Sequence, residues 1–141
     1  MNATFTLPSF PLPGAAVHLP PGGDATLLQA ARRGLQPGYV LSAFEVSTAD
    51  DLHPDLWEMH PAGNEVLIML TGELVVEWAD GPHRGSVPLA AGRGAVVPRG
   101  AWHRLVLRQP GLLLALTPRQ GTELARGPGG RPEAPDHSPS Q

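Results

Sequence analysis

Four side chains in this sequence have the types and spacing for metal chemistry: Glu58, His60, Glu65 and His103. Along an extended strand, residues two apart share a face and lie roughly 6.6 Å from one another. Glu58 and His60 therefore point one way and Met59 the other. PAGN (61–64) is a turn-forming stretch that can fold the next strand back beside the first, returning Glu65 to the same interior. His103 joins from a separate strand, after the turn in PRGAW (98–102). Imidazole nitrogens and carboxylate oxygens together suit a divalent Fe, Mn, Ni or Zn ion, and two histidines with one carboxylate is the pattern of open non-haem iron sites. The plainer alternative is a pair of barrel-lining histidines hydrogen-bonded to Glu58 and Glu65. Buried carboxylates without a cation repel and hold protons, at a cost in stability, and a metal or a paired imidazolium removes that cost. There is no cysteine, which excludes thiolate zinc sites, disulfides and a cysteine nucleophile.

These groups need strands to position them, and from residue 38 the chain supplies a regular series. YVLSAFEVS (39–47), LWEMH (56–60), EVLIML (65–70) and ELVVEW (73–78) read as strands, followed by GSVPL (85–89), GAVVP (94–98), WHRLVL (102–107) and LLLALT (112–117). Turn residues connect them, and short strands at near-regular spacing with little helical pattern point to an all-β sandwich or barrel. Pro88 confines its run to an edge strand or a bulge. Gly72, Gly92, Pro98 and Gly100 shape turns. Leu67, Met69, Leu105 and Leu107 share the inward parity of the ligands and form core, so a pocket beside them is largely apolar, which disfavours a sugar phosphate. Trp57 and Trp102 flank ligand positions and face away, as outer packing or dimer contacts. Arg99 and Arg104 read as solvated, and His18, His53, His83 and His137 as loop or tail residues.

Residues 1–23 are proline-rich, and residues 1–37 read as a partly extended arm. ATLLQAARRG (25–34) fits either a helical turn or two, or a strand at the barrel rim. The barrel is expected over 38–120. Residues 121–141 form a tail whose Gly/Pro/Ser-rich end (127–141) is expected to be disordered.

At 41% hydrophobic and 16% charged residues, a chain of 141 can bury its own core and lacks a long apolar run for a membrane. The net charge of −3 carries ten arginines, scattered and without lysine, so no basic stripe invites nucleic acid. With no basic, apolar leader at the start of the sequence, a cytoplasmic location is expected.

The ligand spacing resembles the two motifs of the cupin family, Gly-x5-His-x-His-x3,4-Glu-x6-Gly and Gly-x5-Pro-x-Gly-x2-His-x3-Asn. His60-x4-Glu65-x6-Gly72 matches the later part of the first, and Gly92-x5-Pro98-x-Gly100-x2-His103 nearly all of the second. Glu58 stands in place of the first motif's leading His, Leu107 in place of the second motif's Asn, and Asp50-Asp51-Leu52 where the opening Gly falls. The resemblance implies a double-stranded β-helix, a jelly-roll-like barrel, with His60, Glu65 and His103 as ligands. Glu58 becomes a fourth ligand or a general base. It further implies a small-molecule ligand or substrate and a homodimer in which residues 1–35 can reach the partner. Two functions follow from it: a metal-dependent enzyme of dioxygenase or isomerase type, or a non-enzymatic binding module with a structural metal or none.

Overall fold

In ELVVEWAD (Glu73–Asp80), Leu74 and Val76 are buried while Glu73, Val75 and Glu77 are only partly covered. That period of two marks a strand with one face on a core. The computed structural model describes residues 7–28 and 36–126. In chain order the strands are β1 (Ala16–Leu19), β2 (Thr26–Leu28), β3 (Tyr39–Val46), β4 (Trp57–Met59), β5 (Glu65–Met69) and β6 (Glu73–Asp80). They continue as β7 (His83–Ala90), β8 (Arg93–Val97), β9 (Trp102–Gln109), β10 (Gly111–Pro118) and β11 (Glu123–Ala125). One short 3-10 turn, Ala49–Leu52, is the helical element among the described residues. None of their helices is long and apolar enough to cross a membrane.

All strand pairs are antiparallel and build two sheets, β2-β1-β3-β10-β5-β8 and β11-β4-β9-β6-β7. The inner faces meet on Val46, Leu67, Met69, Leu74, Val76, Leu89 and Leu113, with Leu105 and Leu107 packed against them. This is the all-β, double-stranded barrel expected. Pro88 lies on β7, an edge strand, the place in a sheet where proline is tolerated.

At the N-terminal side, β1 runs along β3 from Ala16↔Ser42 to Leu19↔Tyr39, and Thr26–Leu28 pairs back onto β1. Within ATLLQAARRG the described part is thus strand, at the end of its sheet; residues 29–34 lie outside the described residues, as does the tail 127–141. At the other end, β11 pairs with β4 through Glu123↔Met59 and Ala125↔Trp57.

Candidate metal centre

Two hydrogen bonds lock the second motif onto the first. The Gly100 N–H donates to the His60 carbonyl at 3.0 Å, and the Arg99 N–H donates to Asn64 Oδ1 at 2.8 Å. Gly100 takes φ +81°, a left-handed conformation that side chains resist, so the sharp turn delivering the chain into β9 needs glycine there. Glu58 on β4 is directly opposite His103 on β9, and opposed residues share a face. Glu65 opens β5 with its side chain inward, opposite Val97.

The four expected ligands converge. Ligand atoms of Glu58, His60 and His103 all lie within 4.8 Å of one another. The Glu65 carboxylate sits between the rings, with Oε1 2.9 Å from His103 Nε2 and Oε2 3.2 Å from His60 Nε2. His60, His103 and Glu65 are buried, whereas the Glu58 side chain is 38% exposed and stands at the mouth.

Charge is strongly biased here. Burial alone pushes the Glu65 carboxyl up, but the close approach of His103 and His60 and their positive potential outweigh it, holding Glu65 down to about 2. Burial pushes His103 down, and the hydrogen bond and charge of Glu65, with a smaller pull from Glu58, raise it overall above the usual imidazole value.

Two hydroxyls missed in the sequence hold the set in place. Thr117 on β10 donates to Glu65 Oε2 at 2.7 Å, and Thr122 Oγ1 lies 2.8 Å from His60 Nδ1. Thr117 closes a strand already legible as LLLALT, where parity could have found it; Thr122 lies in a turn that carries no such signal.

Whether these residues fit a cation is answered by His60. Its Nε2 is buried 3.2 Å from Glu58 Oε1 and 3.2 Å from Glu65 Oε2, yet it makes a well-aligned hydrogen bond with neither. When Nδ1 carries the proton and donates to Thr122, the Nε2 lone pair faces two carboxylates, an arrangement that a cation satisfies. The donor set, two imidazoles and two carboxylates, fits a divalent Zn, Fe, Mn or Ni ion.

Outside the cluster, three sequence readings meet the structure. Arg104 is not solvated: its Nε donates to Glu77 Oε2 at 2.8 Å and its guanidinium to the Pro54 carbonyl at 3.2 Å. Its long stem reaches over Trp57, 5.3 Å from the ring centroid, where flat cation and aromatic face attract. Trp57 faces away from the ligands as alternation requires, but it is buried by its own chain and so is packing, not a dimer contact. Arg99 is exposed, and its guanidinium donates to the Ala62 carbonyl at 3.3 Å. Of the remaining histidines, His53 and His83 are exposed, His18 is half-buried against the Pro37 carbonyl, and His137 lies outside the described residues.

The fold and the interior cluster define a class: an all-antiparallel, double-stranded β-barrel with a Glu/His/His candidate site. No protein-family model and no curated protein matches the sequence. Among solved structures the chain is similar to a cupin-2 domain containing protein from Shewanella frigidimarina, at 23% identity over 58% of this chain and 70% of that one, with a TM-score of 0.41. It is similar to a hydroquinone 1,2-dioxygenase in complex with Cd2+ and 4-hydroxybenzonitrile, at 23% identity over 62% of each chain, TM-score 0.46. It is also similar to an oxalate decarboxylase from Bacillus subtilis, at 14% identity over 64% of this chain and 24% of that one, TM-score 0.49.

Proposed function

We propose that this chain is a metal-dependent enzyme that holds one divalent cation on His60, His103 and Glu65, with Glu58 as a fourth ligand or a general base, and acts on a small organic molecule beside it. The observation that carries this reading is the buried, unpartnered Nε2 of His60 facing two carboxylates. A divalent ion bound there supplies Lewis acidity to an oxygen of the substrate. The chain's own residues divide the remaining work. Thr122 fixes the ring of His60, and Thr117 fixes the carboxylate of Glu65. Glu58, half-exposed and without such an anchor, is the group that can take a proton from a substrate at the mouth. Oxygenation and isomerisation are the reaction types that this division supports.

A second reading has an observation of its own. Four protein ligands are enough to close a tetrahedral site, and a closed site is structural, leaving a small-ligand binding module. An exchangeable water on the bound ion separates the two readings.

The first test is metal content by inductively coupled plasma mass spectrometry on untagged protein beside His103→Ala and Glu58→Gln. Near-stoichiometric Fe, Mn, Ni or Zn in the unmodified protein, lost in His103→Ala and reduced in Glu58→Gln, is expected. Metal content unchanged in both variants overturns the site. The reading also keeps a homodimer, supported by Leu7, Leu12 and Leu27, which are exposed near the N-terminus. Light scattering that gives a monomer mass at micromolar concentration overturns that part alone.

A further inference from the structure

Strands β7 and β8 each end their sheet, and between them opens a cavity of about 230 Å3. Val76, Trp78, Val87, Val97 and Ala101 line it, and Asp80 is the one ionisable side chain among its lining residues. None of the four candidate ligands lines the cavity, but two of its walls are the cross-strand neighbours of ligands. Trp78 is opposite His103, and Val97 is opposite Glu65. Directly opposed side chains share a face with Cβ atoms roughly 5 Å apart. A second depression of about 280 Å3 shares Trp78 and is lined otherwise by Trp57, Glu77, Arg84, Gly85 and Ser86; its lining is more polar and holds an arginine.

Trp78 has its place because its partner on β7 is Gly85. A Cβ at Gly85 meets the indole at 2.7 Å from Cζ2 and 2.9 Å from Nε1. Glycine inside a strand weakens it and marks a close approach; here the close approach is the indole lying against β7. The cavity is smaller than the roughly 300–1,000 Å3 that holds a drug-sized ligand, so its occupant is of single-ring size.

Charge narrows the occupant further. A divalent cation with Glu58, Glu65 and two neutral imidazoles sums to no formal charge. No arginine or lysine lines the cavity, and exposed Asp80 forms no ion pair among the described residues. An anion entering here finds no compensating charge and meets Asp80.

We propose that this cavity is the organic-ligand seat of the metal centre. It takes an apolar molecule of single-ring size, uncharged or cationic at its outer end, stacked on Trp78 with that end at Asp80, and it rejects carboxylates and phosphates. The assignment rests on the metal-dependent reading above. Stacking on the indole face and attraction of a cation to it both favour such a ligand over an anion.

The test is calorimetric titration of zinc-loaded full-length protein with benzylamine, benzyl alcohol and benzoate, with metal content measured on the same samples. Benzylamine and benzyl alcohol are expected to bind, and benzoate at least about tenfold more weakly. Asp80→Asn, an exposed and conservative change, brings benzylamine to within about threefold of benzyl alcohol. Gly85→Ala drives the indole into the cavity and weakens both ligands by at least about tenfold with zinc retained. Ala95→Phe, filling the cavity from the opposite sheet, does the same if Gly85→Ala does not fold. Benzoate binding as tightly as benzylamine, or binding untouched by both cavity-filling variants, overturns the proposal. Zinc retained with no probe bound overturns the cavity assignment and leaves the metal reading standing. Benzylamine bound by protein that cannot hold zinc overturns the metal reading and supports the cavity's preference.

Discussion

The hydroxyl of Thr122 lies 2.8 Å from Nδ1 of His60, 62 residues away in sequence. It gets there because β11, which starts at the next residue, pairs with β4 just before His60. A proton on Nδ1 donated to this hydroxyl leaves the Nε2 lone pair for a metal. Thr122→Val, which keeps the shape and removes the hydroxyl, is expected to lower zinc affinity about 10- to 100-fold, the usual cost of losing an outer partner of a ligand histidine. Competition against a fluorescent chelator measures it, and unchanged affinity shows that Thr122 does not set the tautomer.

Without metal, the ion pairs of the site make stability depend on pH in two directions. Glu65 is held at about 2 against an ordinary 4.5, so its contribution is complete above about pH 4.5 and lost as pH falls toward 2. His103 is raised above an ordinary 6.5, so its contribution is present below about pH 6.5 and lost as pH rises through the folded value. The melting temperature in chelator is therefore expected to peak between those limits. Zinc binding needs neutral His103 and so strengthens with rising pH, the opposite trend. A metal-free melting temperature that climbs steadily from pH 6 to 9 contradicts the pairing.

On the outer face of its sheet Arg104 joins Glu77 and Trp57 to the carbonyl of Pro54 in the loop before β4. Both charges of the pair are largely covered, at 19% and 27% exposure, so solvent screens them only in part. Arg104→Ala is expected to cost about 2 kcal/mol in urea unfolding, from a charged hydrogen bond and the cation–aromatic contact together. Arg104→Lys recovers less than half of that, since an ammonium has no planar fork to lie over the ring and reach Glu77 at once. Zinc content stays unchanged in both variants, because the contact faces away from the ligands.

Two glycines at similar positive φ separate strain from collision. At Gly100 a Cβ meets nothing within 4 Å, and Gly100→Ala is expected to cost about 1–2 kcal/mol from left-handed strain alone. At Gly72, φ +75°, a Cβ runs into the Gln109 carbonyl oxygen at 2.6 Å and the Pro110 backbone beside it. Gly72→Ala is expected to cost at least about 3 kcal/mol, or to prevent folding. Equal losses for the two variants in urea unfolding refute this distinction.

Much of the barrel and of its candidate ligand set is legible in the sequence, for local reasons. Alternation with a period of two marks β3, β5, β6, β9 and β10, and glycine or proline punctuates them. Parity along LWEMH sends Glu58 and His60 to one face before any partner strand is known, whereas His103 joins that face only through the pairing of β4 with β9. Pro88 names its strand as an edge, because a missing N–H is a property of the residue itself. Tertiary structure decided what depends on register between strands remote in the chain. Thr117 and Thr122 reach Glu65 and His60 only through the pairing of β10 and β11, and Arg104 leaves solvent only because Glu77 and Trp57 arrive beside it. Trp78 borders a cavity because Gly85 is its partner across β6 and β7. Each of these contacts joins segments whose relative placing is set by burying two inner faces together, a free energy that no single segment contains.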